Sequence, residues 1–107
     1  MPSYGEQALQ VLVGERLGQV NVVLDYLQLQ FGDAWINAYS WPTLAIGKRA
    51  ELDELRAHAG IEVAAVRLSN ESIDIAFANG SVLSIALDVA PESAELKGDH
   101  WVVFGPK

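Results

Sequence analysis

The chain has no cysteine, only two histidines, and only seven lysine and arginine residues among its 107. The missing cysteines exclude disulfides, thiolate nucleophiles and thiolate metal sites. Because the two histidines stand apart in a sequence without a ligand cluster, we expect no metal and no cofactor. The basic residues are scattered from Arg16 to Lys107, so we also expect no patch that binds nucleic acid.

The chain also lacks a long apolar run and a basic N-terminal region. Its first apolar stretch is too short for a signal peptide or a membrane span, so we expect a cytoplasmic protein without a membrane partner. Fourteen acidic residues give a net charge of -7. This charge repels phosphate backbones and speeds encounters with a basic partner, but it is also typical of proteins that it merely keeps soluble.

Motifs for catalysis are equally scarce. The sequence has no Gly-x-Ser-x-Gly elbow and no phosphate-binding glycine loop. One acid–base candidate remains in the tail, where His100 follows Asp99. Glu92 and Glu95 lie nearby in sequence, but a solvated acidic loop is the commoner outcome for such a group. His58 aligns with an apolar position and is expected to pack against the sheet. Because no catalytic motif is clear, we expect a protein that is not an enzyme.

The chain does contain an internal repeat of its apolar pattern. An offset of 46 residues, from Gly14 to Gly60, places residues 14–31 over residues 60–77 without a gap. Only three of these positions are identical, so the repeat rests on shared periodicity rather than on identity. Six apolar pairs coincide: Leu17/Val63, Val20/Val66, Val22/Leu68, Leu27/Ile73, Leu29/Ile75 and Phe31/Phe77.

Each copy begins with a helical pattern that ends at a glycine. The predicted helices span residues 4–13 and 49–59, and Ser3 and Glu6 have capping-box spacing at the first. The apolar stripes are Ala8, Leu9, Leu12 and Val13 in the first helix and Leu52, Leu55 and Ala59 in the second. Helices this short are stable only when they pack on other elements.

After each glycine the apolar period changes from 3.6 to 2, which is typical of strands with one buried face. The residues predicted to be buried are Val20, Val22, Leu24, Leu27, Leu29 and Phe31, and, in the second copy, Val66, Leu68, Ile73, Ile75 and Phe77. Asn79-Gly80 predicts a two-residue type I′ turn, with Gly32-Asp33 as its weaker counterpart. Each copy is therefore predicted to be a three-stranded meander.

The sequence thus predicts a single α+β domain, residues 1–107, made of two helix-plus-three-strand units (αβββ-αβββ) that share one core. Its parts are, in order, a pseudo-repeat at 3–40, a linker at 41–47, a pseudo-repeat at 49–87 and a C-terminal extension at 88–107. The extension is predicted to form a β-hairpin, with strands at 94–96 and 101–104, that seals a sheet edge. We expect an antiparallel sheet or an open barrel.

The two copies differ most on the side that alternates away from the predicted core. The first copy carries aromatic and amide side chains there: Tyr26, Gln28, Gln30, Trp35, Asn37 and Tyr39, with Trp41 continuing the same side. The second copy carries Ser72, Asp74, Ala76, Val82, Ser84 and Ala86. Because Tyr and Trp combine apolar area with a hydrogen-bonding tip, the first set is a candidate partner-binding surface. The alternatives are that the tail or a second subunit covers it, or that Trp35 belongs to the core.

Four short motifs spread over most of the chain: the Leu12-Val13-Gly14 start, the strands Leu27–Phe31 and Ile73–Phe77, the Phe77-Ala78-Asn79-Gly80 turn, and the tail Pro91-Glu92-Ser93-Ala94-Glu95. Together they resemble a loosely defined group of uncharacterised small acidic bacterial proteins, some of which look like the immunity proteins of toxin systems. The resemblance carries over no catalytic residue.

Two functional hypotheses fit these patterns. The first is a non-catalytic protein-interaction module, for example a toxin-neutralising immunity protein whose acidic and aromatic surfaces block a basic partner. Its partner would be another protein or a second copy of the chain in a homodimer. The second is a small-molecule binding domain with a pocket between the two repeats. An enzyme ranks third.

Overall fold

A computed structural model describes residues 4–45, 48–87, 93–97 and 101–104 of the chain. Its elements are α1 (Tyr4–Leu9), a 3-10 helix (Gln10–Leu12), β1 (Leu17–Val23), β2 (Tyr26–Phe31), β3 (Ala34–Ala38), β4 (Thr43–Ala45), β5 (Lys48–Arg49), α2 (Leu52–Arg56), β6 (Val63–Leu68), β7 (Ser72–Phe77), β8 (Val82–Ala86), β9 (Ala94–Lys97) and β10 (Trp101–Phe104).

The strands are antiparallel, as predicted, and form two open sheets that do not close into a barrel. The first sheet has the order β1-β2-β3-β9-β10, and the second has the order β5-β4-β8-β7-β6. In each sheet, three consecutive strands are extended by a hairpin from a distant part of the chain. The β9–β10 hairpin covers the edge of β3, as the sequence predicts, and the β4–β5 hairpin adds to β8.

The prediction that residues 41–47 form only a linker is wrong, because Thr43–Ala45 form the strand β4. Thr43 lies directly opposite Ser84 on β8, and β4 then pairs with β5. The neighbour that makes β4 a strand is therefore far away along the chain. A local pattern of proline and glycine contains no information about such a partner.

The first helix is shorter than the predicted span of residues 4–13. The α-helical part ends at Leu9, and one 3-10 turn, Gln10–Leu12, follows it. Val13 is extended and exposed rather than part of the buried stripe. A tighter final turn is a common way for a helix to satisfy its last carbonyl groups. Ser3, the predicted cap, lies outside the described residues.

The second helix begins three residues later than predicted and ends three residues earlier. Lys48–Arg49 forms β5, and the helix spans Leu52–Arg56. Glu51 is its cap, because the Glu51 backbone N–H donates to Oε1 of Glu54 at 3.3 Å. This capping box sets where the helix starts. Ala59 lies past the last turn and is exposed, so its predicted burial is wrong.

The inward faces of both sheets contribute to one apolar core. Its fully buried residues include Leu17, Leu27, Leu29, Phe31 and Ile36 from the first sheet and Val63, Ile73, Ile75, Leu83 and Ile85 from the second. Two further residues predicted to be buried, both from the first strand pattern, are exposed: Val22, and Leu24 by 92%. Leu24 is exposed because β1 ends at Val23, so that Leu24 lies in the turn that leads to β2. Val22 lies within β1, which is an edge strand of its sheet.

The Asn79-Gly80 hairpin has a wider turn than predicted. A type I′ turn needs positive φ at both central residues, but only Gly80 has it, at +92°. The Phe77 N–H donates to the Ser81 carbonyl at 2.8 Å, and the Asn79 side chain accepts from the Ser81 N–H at 3.0 Å. The Asn79 side chain thus stabilises a four-residue loop in place of the two-residue turn.

The starts of β1 and β6 are joined by hydrogen bonds that occur in equivalent pairs. Gly14 and Gly60, with φ of +88° and +86°, donate to Val63 and Leu17, at 2.9 and 2.7 Å. The two bonds are equivalent under the 46-residue offset: Gly14 corresponds to Gly60, and Val63 corresponds to Leu17. The same exchange relates Leu17 N to Ile61 O, at 3.2 Å, and Val63 N to Glu15 O, at 2.8 Å. Arg16 and Glu62 form an isolated bridge at the centre.

Side chains from the two helical segments continue this relation along the outer strands. The Gln10 side chain donates to the Val66 carbonyl at 3.0 Å, and the Arg56 side chain donates to the Val20 carbonyl at 3.3 Å. Gln10 and Arg56 are also 46 residues apart. These bonds occupy carbonyl groups that sheet edges otherwise offer to an incoming strand.

Candidate interaction face

The residues predicted for partner binding lie mainly on one surface of the first sheet. Along β2, Leu27, Leu29 and Phe31 enter the core, and along β3, Ile36 and Ala38 do so. The residues between them point to the opposite side, because side chains alternate along a strand. We call this opposite side the amide–aromatic face, which consists of Tyr26, Gln28, Gln30, Trp35, Asn37, Tyr39, Glu95 and Lys97. It contains six of the seven predicted residues.

Cross-strand register arranges the face in rows. The central row crosses β2, β3 and β9: Gln28, Asn37 and Glu95. A neighbouring row is Gln30, Trp35 and Lys97. On the other side of the central row, the rings of Tyr26 and Tyr39 lie with centroids 4.8 Å apart and planes tilted by 53°. Amide and carboxylate groups are thus flanked by aromatic side chains on both sides.

Glu95 is the centre of a hydrogen-bond network on this face. Its Oε1 accepts from Asn37 Nδ2 at 2.9 Å and from the Tyr39 hydroxyl at 3.0 Å. Lys97 Nζ lies 3.7 Å from the same oxygen. Glu95 is only 6% exposed and Asn37 only 4%. Bonds from neutral donors to a buried carboxylate are among the stronger hydrogen bonds in proteins, so the network fixes the positions of these side chains.

Glu95 was missed as part of this face by sequence reasoning. The available signal was its position between Ala94 and Leu96, which are both buried, in a predicted strand. That alternation places Glu95 on the outer side of the sheet. It does not identify β3 as the neighbouring strand, and only that neighbour brings Glu95 to Asn37 and Tyr39.

The second polar atom of Asn37 has no partner among the described residues. Nδ2 donates to Glu95, but Oδ1 is buried and accepts no hydrogen bond there. Buried side-chain oxygens without a donor are uncommon, because they lose their hydration and gain nothing in return. Asn37 Oδ1 therefore marks the place on the face where a further donor is most favourable.

The environment of Tyr39 favours its neutral form. Burial, the hydrogen bond to Glu95 and the charge of Glu95 together raise the pKa of Tyr39 above its ordinary value of 10.0. The residue is nevertheless 37% exposed, so its ring is accessible while its hydroxyl is held by the carboxylate. Tyr39 can therefore offer an outside molecule its aromatic surface.

The two predicted tryptophans differ in their surroundings. Trp35 is half-buried on the amide–aromatic face and is not among the partly buried residues packed against the core. Trp41 packs against the core, donates from Nε1 to the Ala50 carbonyl at 2.7 Å, and has the Arg49 guanidinium 4.6 Å from its ring centroid. The structure therefore does not bring Trp41 to the face.

The equivalent surface of the second sheet has simpler chemistry. Asp74 Oδ1 accepts from the hydroxyls of Ser72, at 2.9 Å, and Ser84, at 2.7 Å. The remaining outward positions of β7 and β8 include Ala76 and Ala86. In cross-strand register, Thr43 occupies the position beside Ser84 that Glu95 occupies beside Asn37. A satisfied carboxylate among small side chains thus replaces the aromatic and amide rows.

The histidines contribute little to the described sites. His58 packs on Phe77, with ring centroids 5.1 Å apart, and its Nδ1 lies 2.7 Å from the Glu54 carbonyl. The acid–base candidate of the tail falls largely outside the described residues, since these do not include His100, Asp99 or Glu92. Within the described ranges, no group of His, Asp and Glu is placed to hold a metal ion, and no helix has the length and apolar character to cross a membrane.

Comparison with known proteins gives no relative. No family model, no curated protein and no solved structure matches the chain. Its function must therefore be inferred from the chemistry of its own surface.

Proposed function

We propose that this chain is a non-catalytic protein-interaction module whose amide–aromatic face binds a basic protein partner. The observation that supports the proposal is the difference between the two sheets. Both sheets have the same order of meander strands, yet the second one carries only small side chains, one valine and one aspartate where the first carries tyrosine, tryptophan, glutamine and asparagine. The architecture does not need these larger side chains, so a role in binding is the better reason for them.

The residue types on the face are those that protein interfaces favour. Tyr and Trp are enriched among the residues that contribute most to binding, because they bury a large area at a small cost in conformational entropy. Tyr39 is exposed, and Tyr26 and Trp35 are half-buried. The net charge of -7 favours a basic partner through electrostatic steering.

The biological form that we propose is a toxin-neutralising immunity protein in the cytoplasm. The resemblance of its sequence motifs and its acidic charge support this form. Such a protein acts by covering the surface of its target and needs no catalytic group of its own.

We also propose that the fold arose by internal duplication of a helix-plus-three-strand unit. The support comes from the paired hydrogen bonds of Gly14 and Gly60 and of Gln10 and Arg56, which all follow the 46-residue offset. On this proposal the second copy is a natural control, because it keeps the scaffold but not the aromatic and amide side chains.

The test compares one variant on each sheet. We expect Tyr39→Ala to weaken binding of the native partner by about 2 kcal/mol or more, the range of interface hot spots. Val82→Ala, which removes an exposed apolar side chain from the outer side of the second sheet, should leave binding unchanged. Quantitative co-purification from the native cell with the wild type and both variants measures the difference. Equal losses in both variants, or none in Tyr39→Ala, would contradict the proposal.

A second copy of the chain is also a candidate partner, since we expect a homodimer. Gln10 and Arg56 each occupy one carbonyl group on the edge strands β6 and β1, and on this proposal the dimer forms through the amide–aromatic face. Sedimentation equilibrium of the wild type and of Tyr39→Ala tests whether a homodimer forms through this face. A monomer at all accessible protein concentrations would remove the homodimer.

A further inference from the structure

We infer that a cluster of five residues on the amide–aromatic face receives the guanidinium group of an arginine side chain on the protein partner. We call it the Glu95 cluster, which consists of Tyr26, Asn37, Tyr39, Glu95 and Lys97. The inference rests on the proposed function and specifies which chemical group of the partner is recognised.

The acceptor oxygens of the cluster favour a ligand that donates hydrogen bonds. Glu95 supplies a negative charge, and Asn37 Oδ1 is a buried acceptor without a partner among the described residues. The amide of Asn37 is held in place, because its Nδ2 donates to Glu95 at 2.9 Å. Asn37 and Glu95 lie directly opposite each other on β3 and β9, so an amide and a carboxylate, both buried, stand side by side. Guanidinium is the side-chain group that presents several N–H donors in a planar fork.

The aromatic part of the cluster favours the same ligand. The Tyr39 hydroxyl donates to the carboxylate, and the Tyr26 ring lies beside that of Tyr39, with centroids 4.8 Å apart. Tyr39 is 37% exposed. The faces of tyrosine rings attract cations, and guanidinium in addition stacks on them. A neutral hydrogen-bond donor would gain from Asn37 Oδ1 but not from the rings or from the negative charge.

Lys97 occupies the place that the incoming cation would take. Its ammonium lies 3.7 Å from Glu95 Oε1, while its side chain is 57% exposed. The ammonium end of this pair is open to water although the carboxylate is buried, and a single ion pair to a water-exposed lysine contributes little. On this proposal Lys97 is an internal substitute for the partner's cation. An arginine displaces it and donates to Asn37 Oδ1, which is buried in the free protein, when the neighbouring side chains move aside.

The second sheet provides a matched site that lacks these properties. Asp74 is also a carboxylate on the outer side of a central strand, but two serine hydroxyls donate to its Oδ1. It has no tyrosine pair beside it and no orphan amide oxygen among the described residues. Asp74→Asn therefore changes the net charge of the protein as Glu95→Gln does, without touching the proposed arginine site.

The experiment uses two small probes, N-acetyl-arginine amide and its neutral isostere N-acetyl-citrulline amide, titrated into isotope-labelled protein and followed by NMR. We expect the arginine probe to shift the side-chain amide of Asn37 and to bind about tenfold or more tightly than citrulline, which equals about 1.4 kcal/mol. Glu95→Gln should abolish this preference, and Asp74→Asn should retain it. Equal binding of the two probes, or an unchanged preference in Glu95→Gln, would overturn the inference.

A gain of binding keeps the test independent of folding defects in Glu95→Gln. Lys97→Met removes the competing ammonium but keeps an unbranched apolar stem, so it should bind the arginine probe about twofold to fivefold more tightly, the range of a lost exposed ion pair. Unchanged or weaker binding would contradict the role given to Lys97. If Tyr39→Ala loses the native partner while the arginine probe fails to bind the wild type, the interaction face stands and the arginine inference fails.

Discussion

The two contacts of Glu95 with Asn37 and Lys97 should differ strongly in energy, although both involve the same carboxylate oxygen. The Asn37–Glu95 bond is 2.9 Å long, and both residues are less than a tenth exposed. A hydrogen bond to a charged group in such a setting contributes about 1.5–3 kcal/mol. The Lys97–Glu95 pair is longer, at 3.7 Å, and its lysine side chain is 57% exposed although its carboxylate side chain is only 8% exposed. Water reaches the ammonium and screens the pair, so we expect about 0–1 kcal/mol.

Two double-mutant cycles measure these coupling energies. The single variants are Asn37→Ala, Lys97→Ala and Glu95→Ala, and the double variants combine Glu95→Ala with each of the other two. The free energy of unfolding of each protein is obtained from urea denaturation. The penalty for burying Asn37 Oδ1 without a partner is present in the wild type and in Glu95→Ala but in neither variant that lacks Asn37, so it cancels in the cycle. A Lys97–Glu95 coupling as large as that of Asn37–Glu95 would refute the reasoning from burial and distance.

Two further predictions concern the core and the response to pH. Leu29→Ala and Ile75→Ala, at equivalent and fully buried positions, should each lower the free energy of unfolding by about 2–5 kcal/mol. Gln28→Ala, on the outer side, should change it far less. If the urea midpoint of Gln28→Ala does not differ from those of the other two variants, the assignment of the faces is reversed. Because the pKa of Tyr39 is raised above its ordinary value of 10.0, its neutral form stabilises the fold fully below pH 10, and this contribution is lost as pH rises through the folded-state pKa. The wild type should therefore lose more stability than Tyr39→Phe when urea unfolding is compared below and above that pH, and parallel pH profiles would contradict the prediction.

The buried faces of the strands were predictable because they depend on local alternation. Leu27, Leu29 and Phe31 enter the core on β2, and Ile73, Ile75 and Phe77 do so on β7. Several errors arose where an element ends. In the sequence, Leu24 continues the apolar alternation, but a turn begins after Val23. Alternation predicts which side chains are buried only within a strand. The helix boundaries were wrong for the same reason, since caps and final turns decide them.

Most of the candidate face followed from the same alternation, but its chemistry did not. Tyr26, Gln28 and Trp35 share one side because they alternate with core residues. Whether such residues form a site depends on what the neighbouring strand contributes. β9 supplies Glu95 to the face, and no pattern within residues 26–41 indicates it. Trp41 does not lie on the face, because it packs against the core and donates a hydrogen bond to the Ala50 carbonyl.

The sequence by itself determined the inward and outward faces of the meanders, the glycines that follow the helical segments, the repeat of the apolar pattern and the acidic charge. These are properties of single residues or of near neighbours, so they can be seen without the fold. Only the tertiary structure decided that the β4–β5 hairpin adds to the second sheet and the β9–β10 hairpin to the first. That choice depends on hydrogen bonds between strands far apart in the chain, and it is what places Glu95 beside Asn37 and Tyr39.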